Sequence, residues 1–183
     1  MTLKAPPFSR PVRVEAIHRD GLDMRVEADE AERAALAKLN NLPAIGRLVG
    51  VFSLRRGGGG TILARGEVQA DVTQTCVVSL EPFDASVAEP VDVRFAPSAE
   101  DPPRRGAPVG EAQIVTMGDD DEPDPIVDGK IDLGALAAEF LALGLDPYPR
   151  KPGVEFELSG QSEEEASAAS PFGELGAELK KHS

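Results

Sequence analysis

Between Thr61 and Val78 the chain alternates in character. Gly66, Val68, Ala70, Val72, Gln74, Cys76 and Val78 fall on one side, and Glu67, Gln69, Asp71, Thr73 and Thr75 on the other. A period of two marks a half-buried β-strand. One this long obliges the rest of the chain to supply partner strands and a cover for the apolar face. Ile45 to Leu54 forms a second long strand, and the loop Gly57–Gly60 turns one into the other as a hairpin. Strands of such length bend or bulge, and Gly66 is the expected place.

The elements before and after follow from local signals. Val12, Val14 and Ala16 alternate with Arg13 and Glu15, Asp20-Gly21 signals a turn, and Met24 and Val26 resume the alternation, so Val12–Glu27 reads as a β-hairpin. Asp29 with Glu32 makes a capping box for a helix whose stripe is Ala35, Leu36 and Leu39, ended by Asn40-Asn41 and Pro43. Phe83 to Phe95 supplies another strand or pair, interrupted near Pro90. Residues 97–111 bury too little to order themselves and read as a flexible surface loop, followed by a short strand at Ile114-Val115 and an acidic loop over 117–125. Asp132 caps a helix carrying Leu133, Leu136, Ala137, Phe140 and Leu141, with Gly144 and Leu145 as a Schellman ending. Val154, Phe156 and Leu158 suggest one more strand, Gln161 to Ala169 a polar linker, and Pro171 to Lys181 a short helix. Hairpin connections without a βαβ repeat predict an α+β fold: an antiparallel sheet or partly closed β-barrel with two to three helices. Residues 1–160 form one domain and 161–183 a linker with a terminal helix.

Composition narrows the function. With 7 Phe, 1 Tyr and no Trp, the core must be mostly aliphatic. One Cys cannot form an internal disulfide, the first ten residues carry no apolar leader, and no stretch approaches about 18 consecutive apolar residues. The chain therefore reads as cytoplasmic, with no membrane segment. Its net charge of −13 argues against nucleic acid, but the charge is uneven. Residues 1–70 hold 11 Lys+Arg against 8 Asp+Glu, whereas residues 71–183 hold 8 against 24. Either this is a two-faced binding protein or it is a solvated surface with an acidic tail.

Catalytic constellations are scarce. The two histidines are His18, in the first hairpin, and His182, near the end of the chain; Cys76 on an apolar strand face reads as an inert small hydrophobe. One Cys and two distant His give no zinc spacing, and the acidic run Asp119–Glu122 with Asp124 and Asp128 lacks the Gly and Glu positions of an EF-hand. No cofactor or metal is expected, nor an enzyme. Gly57–Gly60 is followed by Thr61-Ile62 rather than Lys-Ser/Thr, so it is no P-loop, and it joins strands, not the helices of an RNA-clamping GxxG. RNA contact, if any, falls to Arg10, Arg13, Arg19, Arg47, Arg55, Arg56 and Arg65, with Arg55 and Arg56 beside the Gly loop as the foremost phosphate contacts; surface arginines serving solubility are the alternative.

Three segments carry a resemblance. The first is Gln74 to Phe83, including Cys76, Glu81 and Pro82. The second is Asp121-Glu122-Pro123-Asp124-Pro125-Ile126, Asp128-Gly129, Ile131-Asp132-Leu133-Gly134 and Leu145-Asp146-Pro147-Tyr148-Pro149-Arg150. The third, weaker one is Ser170-Pro171-Phe172. Together they resemble the bacterial YceD family of large ribosomal RNA subunit accumulation proteins, over most of residues 8–181. The resemblance implies a non-enzymatic factor needed for 23S rRNA accumulation and large-subunit biogenesis, in a family commonly encoded beside a small large-subunit ribosomal protein. Its partner would be large-subunit rRNA or a ribosome-assembly protein, with no DNA expected. The alternative is an acidic interaction module that holds a basic ribosomal protein or biogenesis factor without touching RNA. Many members of the family carry Cys-x-x-Cys, suggestive of zinc, where this chain has Cys76 and Ser79, so no metal site is carried over.

Overall fold

The computed structural model describes residues 6–97 and 123–154. The chain divides between Lys151 and Pro152 into two units, and every element below belongs to the first. Expectations for residues 98–122, including Ile114-Val115 and the acidic run with Asp121 and Glu122, lie outside the described residues. So do those for Phe156, Leu158, the linker, the terminal helix and His182.

The long strands are as the alternation demands. β3 (Ala44–Arg56) and β4 (Ile62–Thr75) form an antiparallel hairpin around the glycine loop, and β5 (Pro82–Pro97) returns along β4 in unbroken register, Thr75 opposite Pro82 and Ile62 opposite Phe95. β2 (Leu22–Glu27) adds to β3 antiparallel, and β6 (Asp124–Ile126) adds to the far end of β5 in parallel. The sheet order among the described residues is β2-β3-β4-β5-β6, open at both edges, so the α+β reading holds as a sheet rather than a barrel. Across the strands one face forms apolar rows such as Leu48–Ala70–Val87 and Phe52–Gly66–Val91. α2 (Leu133–Gly144) covers this face with Leu133, Leu136, Ala137 and Leu141, while α1 (Glu30–Leu39) seals the start of β3 with Leu36 and Ala37.

Several local expectations fail for identifiable reasons. Val12–Glu27 is not a hairpin: β1 (Pro11–Arg13) pairs with β7 (Lys130–Asp132), and Val14–Ala16 is a 3-10 turn. The turn is held from a distance, because Arg56 donates to the carbonyls of Ile17 (2.7 Å) and Val14 (2.6 Å), and Gly129 O accepts the Val14 N–H (3.0 Å). These satisfied backbone groups replace the ladder that a hairpin would have supplied. Pro90 does not interrupt β5. It lies in the stretch whose second edge has no partner strand among the described residues, where a missing N–H costs no ladder bond.

The bulge falls at Gly46, between Ile45 and Arg47, and not at Gly66. Gly66 stays in register because a Cβ there would overlap the carbonyl oxygen of Val51, so close strand approach is what excludes a side chain. In α1 the buried stripe is Leu36 and Ala37; Ala35 and Leu39 face solvent, since this short helix docks along one line only. Its capping box is present as expected. Gly144 is the last helical residue and Leu145 turns extended (φ −73°, ψ 131°), so there is no left-handed Schellman ending. The glycine is there for room: a Cβ would press on Glu89 Cγ and stand 2.5 Å from Val87 Cγ1 of β5.

Candidate functional site

Four of the seven candidate arginines are engaged within the fold. Arg10 grips Glu32 with two bonds (2.7 and 2.9 Å) and lies 4.8 Å over the Phe8 ring. The hydrogen bond to Arg10 holds the Glu32 carboxyl below the usual carboxylate range, with help from the Asp29 N–H, and Glu32 in turn raises the guanidinium. Arg55 pairs with Asp23 (3.2 Å), Arg65 with Asp92 (3.2 Å), and Arg56 is spent on the carbonyls of the 3-10 turn. Arg13, Arg19 and Arg47 are exposed and have no ion-pair partner among the described residues.

The arginines do not gather on one patch. Arg55 and Arg65 share the polar sheet face near the glycine loop, and Gly21 packs against the Arg55 side chain, which brings the turn carrying Arg19 to the same end. Arg94 of β5 joins them in the row Arg55–Leu63–Arg94. It was not among the sequence candidates, although the alternation of Asp92 and Arg94 around Val93 could have placed it on that face. Carboxylates are interleaved throughout the face, so it is charge-balanced rather than basic.

At the other end of β4 the two motif segments meet. Cys76, Val77, Val78 and Ser79 form the β4–β5 turn: Leu80 N–H bonds to Cys76 O (2.9 Å) and Cys76 N–H to Glu81 O (2.9 Å). The segment after α2 runs alongside. Val77 N–H donates to Pro149 O (2.9 Å), Gln74 Nε2 to Asp146 O (3.3 Å), and Lys151 Nζ to Glu81 Oε2 (2.8 Å). That ion pair holds the Glu81 carboxyl below its ordinary range and the Lys151 ammonium above its own.

Cys76 sits at the centre of this knot, beyond the strand rather than on its face, and is fully covered. Burial alone would make it the inert hydrophobe expected. Instead, donors converge on Sγ: the backbone N–H of Lys151 first, then the Ser79 hydroxyl and the Ser79 N–H (3.4 Å). They stabilise the thiolate and lower the thiol to about 6, outweighing the cost of burial. Ser79, standing where the second Cys of a Cys-x-x-Cys would be, is thus a partner to the first. Among the described residues no three His, Cys, Asp or Glu side chains converge as a metal centre would need.

The rest of the second motif block builds the fold. Asp128 (φ 52°) and Gly129 (φ 67°) form the tight turn from β6 to β7. Asp132 caps α2 through Gly134 N–H (3.0 Å) and Ala135 N–H (3.2 Å), and also takes Arg10 N–H (2.6 Å) and the Ser9 hydroxyl (2.5 Å), tying the N-terminal segment to the helix. Leu133 is buried beneath it; Pro123 precedes β6 and Asp124 opens it. Pro82 opens β5, and Asp146-Pro147 forms a turn in which Asp146 Oδ1 accepts the Tyr148 N–H (2.8 Å). Tyr148 and Arg150 are exposed, as are Val77 and Leu80 of the facing turn.

A nucleophile–base pair between Cys76 and His18 is ruled out by placement. The turn bearing His18 packs by Gly21 against Arg55, at the start of β4, and Cys76 follows the end of β4. The 14 residues between, at about 3.3 Å each, separate them by on the order of 40 Å. A recess of about 420 Å³ at the Gly46 bulge is lined by Asp71, Thr73, Asp84 and Ser86, whose side chains bond one another in pairs. Among the described residues no helix is long and apolar enough to cross a membrane.

No curated protein and no solved structure gives a significant match to this chain. The family model described as "Large ribosomal RNA subunit accumulation protein YceD" matches residues 64–179, which takes in most of β4, the Cys76 turn, β5, α2 and the segment through Arg150. The chain belongs to the YceD family of large ribosomal RNA subunit accumulation proteins.

Proposed function

We propose that this protein supports accumulation of the large-subunit 23S rRNA in the cytoplasm by binding, not catalysis, and that what it binds is that rRNA or a protein of ribosome assembly. Family membership supplies the process. The observation that carries the mode of action is the Cys76 knot: it engages the Cys76 thiol, Ser79, Glu81 and Asp146 in internal bonds, and leaves Val77, Leu80, Tyr148 and Arg150 exposed. Such a site is suited to contact rather than to bond-making.

The test is complementation of a deletion strain, read as 23S rRNA level. Cys76→Ala should restore rRNA if the thiol is not catalytic. A Cys76→Ala chain that folds, accumulates and yet fails completely would sink the non-enzymatic reading.

Two modes of binding follow from different features. Direct RNA contact would rest on Arg13, Arg19 and Arg47, the candidates that are exposed and unpaired among the described residues, and should weaken steeply with salt. A protein partner is favoured by the engagement of Arg10, Arg55, Arg56 and Arg65 within the fold and by the exposed apolar side chains of the motif surface. Recovery of a ribosomal or assembly protein after RNase treatment separates the two.

A further inference from the structure

Among the described residues the sheet has two open edges, and they are built differently. Along β5 the open stretch carries Pro82 and Pro90, opposite Thr75 and Glu67, an even number of residues apart and so turned the same way. Proline leaves a ladder intact only where its nitrogen faces away from the partner strand. A strand added to β5 would therefore find two donors missing. β2, at the other edge, has neither a proline nor a bulge.

The register shows which backbone groups of β2 are free. Ala28 N–H donates inward to Leu48 O (3.1 Å), continuing the pairing of Val26 with Gly50. Antiparallel ladder bonds recur at every second residue, so Leu22, Met24 and Val26 bond to β3, while Asp23, Arg25 and Glu27 turn their N–H and C=O outward. Glu27 O accepts from Arg10 (3.3 Å), and at the other end Gly21 N–H donates to His18 O (3.0 Å). Among the described residues, Asp23 and Arg25 are left with both groups open.

Side chains then select the strand that fits. Asp23 and Arg25 stand on the charged sheet face, beside Arg55 (3.2 Å) and Glu27 (2.7 Å). Leu22 and Met24 lie on the apolar face, only partly buried at the rim of the core. An added strand must carry a cation opposite Asp23, an anion opposite Arg25 and an apolar residue between them. β2 itself, run antiparallel, is such a strand: Arg25, Met24, Asp23.

Only one register of copy against copy satisfies these conditions. A slip of one residue sets the apolar face against the charged one. A slip of two sets Arg25 on Arg25 or Asp23 on Asp23, and like charges directly opposite are destabilising. A slip of four toward Glu27 needs the carbonyl that Arg10 already holds.

We propose that β2 is a self-association edge, through which two copies of the chain pair about a two-fold axis at Met24. Asp23 and the partner's Arg25 exchange two backbone bonds, and symmetry repeats them. On the charged face Glu27, Arg25, the partner's Asp23 and the partner's Arg55 follow one another with alternating sign, so no existing ion pair is displaced. On the core face Met24 meets the partner's Met24, and Leu22 meets the partner's Val26. The contact is short, and interfaces below about 1,200 Å² are weak, so association is reversible and concentration-dependent. It stands whether the protein's partner in function is rRNA or a protein.

The test is sedimentation velocity of the full chain over a concentration series, for wild type, Arg25→Asp and Asp23→Arg. Wild type should pass from monomer to dimer as concentration rises. Each substitution puts two like-charge contacts into the dimer and should weaken self-association about tenfold or more. An equimolar mixture of the two variants sets Asp against Arg at every contact and should recover wild-type association. Recovery on mixing cannot be ascribed to folding, since neither chain has changed. A wild-type chain that stays monomeric at its highest soluble concentration would overturn the proposal, as would variants that associate like wild type or a mixture that stays monomeric. Binding of an RNA oligonucleotide or a displayed peptide that both substitutions abolish, with no dimer at any concentration, would give the edge to that partner and overturn it equally.

Discussion

Replacing Gly66 by alanine would drive a methyl group onto the carbonyl of Val51, which is held in the β3–β4 ladder. Neither strand can yield without breaking register, so Gly66→Ala should cost about 3 kcal/mol in chemical denaturation. Gly144→Ala meets the side chains of Glu89 and Val87, which can swing aside, and should cost about 1 kcal/mol. Cys76 offers a different residue-level test. Because its folded pKa is lowered to about 6, the unfolded chain binds the extra proton between that value and the ordinary thiol range. Its contribution to stability is therefore complete above the ordinary thiol pKa and lost as pH falls through about 6. Far-ultraviolet thiolate absorbance should titrate near 6 in the native protein, and Cys76→Ala should flatten the rise of stability with pH across that window. A native midpoint near 8.5, the usual thiol value, would refute the donor geometry. The alternation of β4 foretells that Cys76 is buried. It cannot foretell the donors, because the first of them, the Lys151 N–H, comes from the far side of α2.

At the scale of elements, signals contained in a few residues are legible in the sequence, and those that depend on distant partners are not. The capping box of Asp29 and Glu32 and the N-cap of Asp132 are contained within four residues of sequence, and both are present. The expected first hairpin is absent because its alternation is equally compatible with a strand on β7, and only Arg56 and Gly129 decide the matter. Asp132 shows both cases in one side chain: its capping bonds are legible, its bonds to Ser9 and Arg10 are not. This separates two effects experimentally. Asp132→Ala removes the cap and the strap and should cost about 3 kcal/mol, an N-cap supplying about 1 and a bond to a charged acceptor about 2. Asp132→Asn keeps a good capping group and should lose only about half as much. Equal losses in the two variants, by denaturant midpoint, would mean that the cap contributes little beside the strap.

For the whole molecule, the excess of positive charge in the first 70 residues suggests an RNA-facing half, and the fold disperses it. Strand pairing sets Arg65 opposite Asp92 on β5, and the guanidinium of Arg56 is turned inward, facts of topology that no count of charges contains. The family motif is more informative than the charge, because its two segments meet in space and the arginines do not. A comparison of variants turns this into a prediction. Arg56→Ala strips two backbone carbonyls of their donor and should destabilise by about 2 kcal/mol, so any loss of RNA binding it causes would reflect the fold. The triple change of Arg13, Arg19 and Arg47 to Ala touches no internal ion-pair partner among the described residues and should leave stability within about 0.5 kcal/mol. If those side chains meet phosphates, the triple variant must lose affinity for 23S rRNA fragments. Its salt dependence must also become shallower, by about one unit of slope for each phosphate no longer neutralised. An unchanged slope would remove Arg13, Arg19 and Arg47 from the RNA question and favour a protein partner over direct contact with the rRNA through these side chains.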